Sequence, residues 1–340
     1  MSTPAPALTK ASPIARSTRP RDSLSAWPLV DRIFYGLCWA AGIGLCLVTA
    51  GIIIFMLVKG VSFLRPSLFV QSPTGSLNQS QAGGFLDPIE GTLLLTAIGM
   101  AIAAPIGVAL AAWLSEYHRP AWLARAVESG VEMISGAPSV VLAIFGLLIF
   151  SQGFLSFLSQ RSAGGVVYGR SFFAAGAIMS LLAVPLVVGS TREGLAQLPA
   201  QLREASYALG KTRATTIRRV LLPSVRSNIA SGIVLGTGRI IGDTAIVVVL
   251  LGATLQLQGA GGTPVLSTLR GTGSTLTTYV YQNSPAGEGD APQKAYAAAF
   301  VLLMIVLALN AAVTYLVNRD GASAKPGRLF TLLRLKPGEG

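Results

Sequence analysis

Charge is scarce in this sequence. Its 340 residues carry 26 Lys or Arg and 14 Asp or Glu, 12% in all, where a soluble domain carries about 25%. Apolar residues make up 51%. A water-soluble chain of this length needs more polar surface than that, so a soluble globular fold is disfavoured from the start. Histidine is nearly missing. His118 is the single one, which excludes a His-rich metal cluster and a Ser-His-Asp triad, and it falls in a polar connection where a solvated role suffices. Cysteine is also scarce. Cys38 and Cys46 are too few for a Cys-based zinc site. They sit eight residues apart on one apolar run, about 12 Å along a helix, too far to bridge, and read as packing residues.

Long apolar runs fill the space that charge leaves. A helix crossing roughly 30 Å of hydrocarbon needs about 20 apolar residues. Five charge-free runs qualify or nearly so: 33–58, 91–114, 133–150, 171–191 and 295–317. A sixth, 229–251, qualifies although it contains Arg239 and Asp243. None alternates polar with apolar residues as barrel strands do. The expected fold is all-α and integral to a membrane, with six transmembrane helices.

Basic residues fix the expected orientation. With both termini inside, segments 1–32, 115–132, 192–228 and 318–340 hold 19 of the 26 Lys and Arg, and the alternate segments 59–90, 151–170 and 252–294 hold 6. Lys and Arg favour the cytoplasmic side, so both termini are expected there. The same bias accounts for most of the net charge of +12, and no nucleic-acid partner is needed to explain it. The chain then divides into a disordered tail over 1–32, rich in Ser, Thr, Pro, Ala and Arg, a six-helix domain over 33–318, and a second cytoplasmic tail over 319–340. The first span is too long for a signal-peptide core and reads as an uncleaved anchor.

The stretch 192–228 is the most informative connection. Pro199 suits a first helical turn, and Leu195, Leu198, Leu202 and Leu209 recur at helical spacing as one apolar face. Gly210 is placed to end that helix, Thr212 to cap a second one, and Pro223 to stop it after Leu222. Two short amphipathic helices with seven basic residues either lie on anionic lipid or dock on a protein.

Within the spans, a charge at mid-membrane depth costs about 2.5–3.5 kcal/mol. Arg239 and Asp243, one helical turn apart, either neutralise one another or line a path for an oxyanion. Basic before acidic is the less favourable order for such a pair, and Arg offers a planar fork of donors to phosphate. Pro105, Pro138 and Pro185 each remove a helix hydrogen bond and favour kinks. Ser135 and Ser139 flank Pro138 and either satisfy freed carbonyls or line the path. Glu132 lies at the mouth of its span, and Gly232, Gly236 and Gly238 permit close helix packing. The segment 252–294, rich in Gly, Thr, Gln and Pro, contacts a partner, folds back into the membrane, or is a flexible connector.

Glu204-Ala205-Ser206, three residues, Gly210, nine residues, then Val220-Leu221-Leu222-Pro223 resembles the EAA motif of ABC importer permeases. That motif reads Glu-Ala-Ala, three residues, Gly, nine residues, Ile-x-Leu-Pro. The resemblance implies a type I importer permease (MetI-like) architecture. It also implies that Glu204, Ala205, Ser206, Gly210 and Pro223 couple the chain to a separate ATPase subunit. Gly210-Lys211-Thr212 ends like a phosphate-binding P-loop, but Ala205 stands where the first Gly should. ATP and Mg would therefore be used by the partner, with no cofactor on this chain and no covalent chemistry.

Further segments are similar to phosphate importer permeases. These are Gly83-Gly84-Phe85 leading to Gly91-Thr92-Leu93, then Leu114-Ser115-Glu116-Tyr117, Ser135-Gly136-Ala137-Pro138-Ser139, and Gly238-Arg239-Ile240-Ile241-Gly242-Asp243-Thr244. In the last, Asp243 stands where that family has Glu. The run Thr277-Thr278-Tyr279-Val280-Tyr281 looks more like the PstA than the PstC type. The resemblance implies phosphate transport across a bacterial inner membrane. The implied partners are a PstC-like permease, an ATPase dimer on the 192–228 loop, and an extracytoplasmic phosphate-binding protein. Arg239, Asp243, Thr244, Ser135 and Ser139 are the expected pathway residues. Importers of sulfate, molybdate or another anion are the nearest alternative, and an ion-coupled secondary transporter a more distant one.

Overall fold

The computed structural model describes residues 28–61, 63–73, 83–117, 119–152, 155–158, 169–252, 264–285 and 292–322. Most of the expected tail 1–32, the tail beyond 322 and His118 lie outside the described residues. Every long element is helical: α1 (Leu29–Val61), α2 (Leu86–Ala112), α3 (Ala121–Gly136), α4 (Ser139–Phe150), α5 (Phe172–Gln197), α6 (Ala200–Ala208), α7 (Arg213–Thr216), α8 (Leu222–Ser224), α9 (Arg226–Gly242), α10 (Ala245–Leu251), α11 (Pro264–Arg270), α12 (Leu276–Asn283) and α13 (Pro292–Ala322).

Four helices are long and apolar enough to cross a membrane, and two bent pairs bring the number to as many as six. The unbroken four are α1, α2 with its π-helical extension Trp113–Tyr117, α5 and α13. The expected spans 133–150 and 229–251 are the bent ones. Helices α3 and α4 meet at 109°, and α9 and α10 at 62°. Of the three intramembrane prolines, only Pro138 stands at a break, because α2 and α5 run on through Pro105 and Pro185. A proline lowers the cost of a bend, but the surrounding packing decides whether one forms.

Two compact units divide after Phe55. In the first, the described residues are α1 up to Phe55, whose apolar side chains are almost all exposed, Cys38 and Cys46 among them. The second is built around α5, the most buried of the spans. Helices α2 and α9 pack on α5, and α13 packs on α9. Its largest apolar cluster joins Leu95 and Ala103 of α2, Ala143 of α4, Met179 and Ala183 of α5, and Ile246 and Leu250 of α10. Of the expected small-residue series, Gly232 and Gly236 do face α5. A Cβ on Gly232 would lie 2.9 Å from the Val187 Cα, whereas Gly238 has open space beside it.

Between α10 and α13 the chain turns inward. Thr272, Ser274, Thr275, Leu276, Thr278, Tyr279 and Asn283 are all buried. The Leu276 amide donates to Thr92 Oγ1 (2.9 Å), the Phe172 amide to the Gly271 carbonyl (3.0 Å), and Thr277 Oγ1 to the Ile241 carbonyl (3.3 Å). Phe85 meets Tyr279 edge to face at 5.3 Å. Gly91 is required here, since any Cβ would collide with the Ser274 carbonyl oxygen. Of the three readings open for this connection, its described second half supports folding back into the helix bundle. Residues 253–263 and 286–291 lie outside the described ones.

Candidate functional site

The loop between α5 and α9 holds the residues of the five-position motif. Helix α6 starts after Pro199 and ends in a left-handed turn at Gly210 (φ +71°). The Gly210 amide donates to the Tyr207 carbonyl (2.9 Å) and the Lys211 amide to the Ser206 carbonyl (3.2 Å). These two bonds satisfy the carbonyls a helix end leaves orphaned, and the conformation favours Gly. Thr212 then caps α7 by accepting from the Thr215 amide (3.3 Å).

The second leg of the loop departs from expectation. It does not stop at Pro223. A π-helical turn over Ile217–Leu221 carries the chain into α8, where Pro223 sits in the first turn, and the irregularity falls at Val225. Proline lacks only the amide that a first turn leaves unbonded, so it is tolerated there. The expected leucine face also divides. Leu195 is fully buried in a cluster with Ala112, Ile217, Leu221 and Val225, while Leu209 is 77% exposed.

Within the motif, side chains point two ways. Ser206 is buried, and its hydroxyl meets Thr216 Oγ1 at 2.8 Å, joining the two legs of the loop. Glu204, Ala205, Tyr207, Leu209 and Gly210 are exposed. The result is a small knob with a fastened inner edge and a free outer face.

The fastening was missed by sequence reasoning. Arg203 donates to Glu116 Oε1 through Nη2 (2.8 Å) and Nε (3.0 Å), and also to the Leu195 and Leu198 carbonyls (3.0 and 3.2 Å). The Glu116 side chain is only 7% exposed. Arg213 donates to the Glu116 carbonyl (3.4 Å) and lies 5.6 Å from the Tyr117 ring centroid. Glu116 and Tyr117 belong to the Leu114–Tyr117 run, whose resemblance to other permeases was the one available signal. A second ion pair, Arg192–Glu128 at 2.6 Å, is more than a third exposed on both sides and adds little.

The expected pathway residues flank the two bends. Ser135 is exposed in the last turn of α3, and Ser139, half-buried, opens α4. Backbone bonds close this bend, from Ala137 to Ile134 (3.2 Å) and from Val141 to Pro138 (3.1 Å). Among the described residues neither serine hydroxyl satisfies a carbonyl. Glu132 is exposed one turn before the bend.

Arg239 and Asp243 do not share one helical face, because α9 ends at Gly242 between them. Asp243 is buried, and its Oδ1 accepts from the Ile246 amide (3.0 Å), capping the start of α10. Capping favours Asp, whose short carboxylate reaches the third amide on, and so accounts for the missing methylene. Arg239 is exposed on the last turn of α9, and Thr244 is half-buried beside the cap. The bend thus uses the carboxylate for structure, and among the described residues the guanidinium makes no hydrogen bond or ion pair. Helices α4 and α10, the second limbs of the two bent pairs, pack on each other. Among the described residues no cluster of three or more His, Cys, Asp or Glu is arranged to hold a metal.

Residues 103–319 match the family described as the binding-protein-dependent transport system inner membrane component. The chain belongs to that family: it is a multi-pass membrane permease component of an ABC-type importer, one subunit of a multi-subunit system. It is related to phosphate permeases at moderate identity. It is 31% identical over 248 residues to "Phosphate transport system permease protein PstA 1" of Mycobacterium tuberculosis (strain ATCC 25618 / H37Rv), covering 73% of this chain and 74% of that protein. It is 29% identical over 202 residues to "Phosphate transport system permease protein PstC" of Haemophilus influenzae (strain ATCC 51907 / DSM 11121 / KW20 / Rd), covering 56% of this chain and 64%, less than two thirds, of that relative. Its fold matches a bacterial alginate ABC transporter solved with an alginate-bound periplasmic protein, at TM-score 0.57 and 18% identity, over 86% of this chain and 96% of that one.

Proposed function

We propose that this chain is the PstA-type permease subunit of an ATP-driven phosphate importer in a bacterial inner membrane. It pairs with a PstC-like permease, and both its termini lie in the cytoplasm. Two ATPase subunits dock on the paired coupling loops, and an extracytoplasmic protein delivers phosphate from the other side. The observation that carries the docking reading is the knob: Glu204, Ala205 and Gly210 are exposed on a loop whose opposite edge is fastened. Small residues at the outer face admit a partner surface closely, and the amphipathic pattern leaves Leu209 for that surface to cover. When the ATPase dimer closes, the loops move as rigid bodies and the helices open outward.

Arg239 is the residue proposed to meet phosphate. Its guanidinium is exposed within a span and carries the donor geometry an oxyanion requires. The bend at Asp243 and Thr244 holds it at the end of α9, and the second bend, between Ser135 and Ser139, is the other part of the proposed path. The substrate assignment rests on the relatives' names and on this donor. The test is uptake of radiolabelled phosphate into proteoliposomes carrying the assembled transporter and its binding protein. Unlabelled phosphate, but not sulfate or molybdate, is expected to compete, and Arg239→Gln to lower uptake at least tenfold in a complex that still assembles. Competition by sulfate or molybdate instead moves the substrate to that anion, and full uptake by Arg239→Gln removes Arg239 from the path.

A further inference from the structure

We propose that Glu116, Arg203 and Arg213 form the joint through which the coupling loop moves α2 and α5 as one piece, an inference that rests on the docking reading above. Two arginines from opposite legs of the loop close on a single helical turn. From α6, the Arg203 guanidinium spends its donors on three acceptors from two helices: the Glu116 carboxylate after α2, the Leu195 carbonyl inside α5, and the Leu198 carbonyl at the end of α5. From α7, Arg213 reaches the Glu116 carbonyl and stacks its charge near the Tyr117 ring.

The geometry is selective. A planar fork serves several acceptors in fixed directions, and a lysine ammonium on the same stem could not hold all three. The gripped turn, Trp113–Tyr117, is π-helical, a rare form that occurs mostly as single turns and is frequent at functional sites. Beneath it Ala112 packs against Leu195, Ile217 and Leu221, so apolar contact backs the polar grip. A force on the outer face of α6 therefore cannot rotate that helix alone. It must either carry α2 and α5 along or break a network centred on a carboxylate that is 7% exposed. Arg203 and Glu116 are positioning residues, acting through the loop and touching no substrate.

The test uses the assembled transporter with nitroxide labels at Ala208 on α6 and Ile106 on α2, both exposed. Pulsed dipolar spectroscopy is expected to give the same distance distribution without nucleotide and with ATP, because the two helices move together. In Arg203→Ala the distribution should widen or shift on adding ATP while the ATPase subunit still co-purifies. Arg203→Lys, which keeps the charge and loses the fork, should behave like Arg203→Ala. Glu116→Gln serves if the alanine variant does not fold, with the same expectation. Unchanged distributions in the variants with ATPase bound overturn the joint alone. A wild-type chain that never retains the ATPase overturns both the joint and the docking reading.

Discussion

The loop between α5 and α9 and the segment between α10 and α13 are both polar connections, yet they handle their polar groups in opposite ways. The first buries one edge and leaves the rest exposed, with Ser206 and Thr216 inside and Glu204, Leu209 and Gly210 outside. The second buries almost everything described after Arg270 up to Asn283 apart from Tyr281 and half-buried neighbours; its Leu276 amide and Thr277 hydroxyl donate to α2 and α9, its Gly271 carbonyl accepts from the α5 amide of Phe172, and Thr275 and Thr278 bond to one another. A segment whose buried polar groups are mostly paired within the fold, Asn283 Oδ1 excepted, serves the interior of its own fold, because a buried group left unpaired costs about 1–3 kcal/mol. The proposed docking role belongs to the segment that is anchored yet open. The same contrast separates Asp243, absorbed by its cap, from Arg239, left available four residues away.

Substitutions at two glycines sharpen that comparison. The larger effect falls on the buried segment. Gly91→Val drives a side chain into the Ser274 backbone, which has no flexible end to yield. The expected loss is about 3 kcal/mol or more, read as a lower melting temperature and a lower yield of monodisperse protein. Near-normal stability would mean that the inward packing of residues 271–283 is loose.

The smaller effect falls on the loop. At Gly210 a Cβ meets nothing within 4 Å, so the only folding cost of Gly210→Val is the left-handed backbone, about 1–2 kcal/mol. The protein should fold and reach the membrane, yet ATPase co-purification and transport should fall sharply. Unchanged co-purification and full transport would contradict the docking role of this turn.

Much of the frame could be read from the sequence, and the reasons it stopped are physical. Apolar run length located all six hydrophobic stretches, because hydrocarbon thickness translates directly into residues. It could not locate the bends. The run 133–150 looks continuous, yet α3 begins at Ala121 and α4 has only the 12 residues from Ser139, since run length records hydrophobicity and not direction. The glycine turn at 210 was visible through local spacing, as helix ends are. Pro223 was misjudged because a first-turn proline and a helix-ending proline look alike without the π-helical turn before it. Arg203 and Glu116 stand 87 positions apart, and no local pattern joins them. Asp243 looked like half of an intramembrane ion pair because an i,i+4 spacing presumes a helix that in fact ends at Gly242. The inward packing of the Thr-rich 272–278 stretch was hidden for a related reason: hydroxyls read as solvent-facing until their partners on α2 and α9 are known.

On the proposed docking, the outer face of α6 is where the energy of ATP enters this subunit. The most direct measurement places a photo-crosslinking amino acid at Ala205 in the assembled transporter and identifies what it captures. An adduct with the ATPase subunit is expected, one that is lost when that subunit is stripped away. Capture of lipid alone, or labelling of the same position by a membrane-impermeant reagent added from outside the cell, would contradict it.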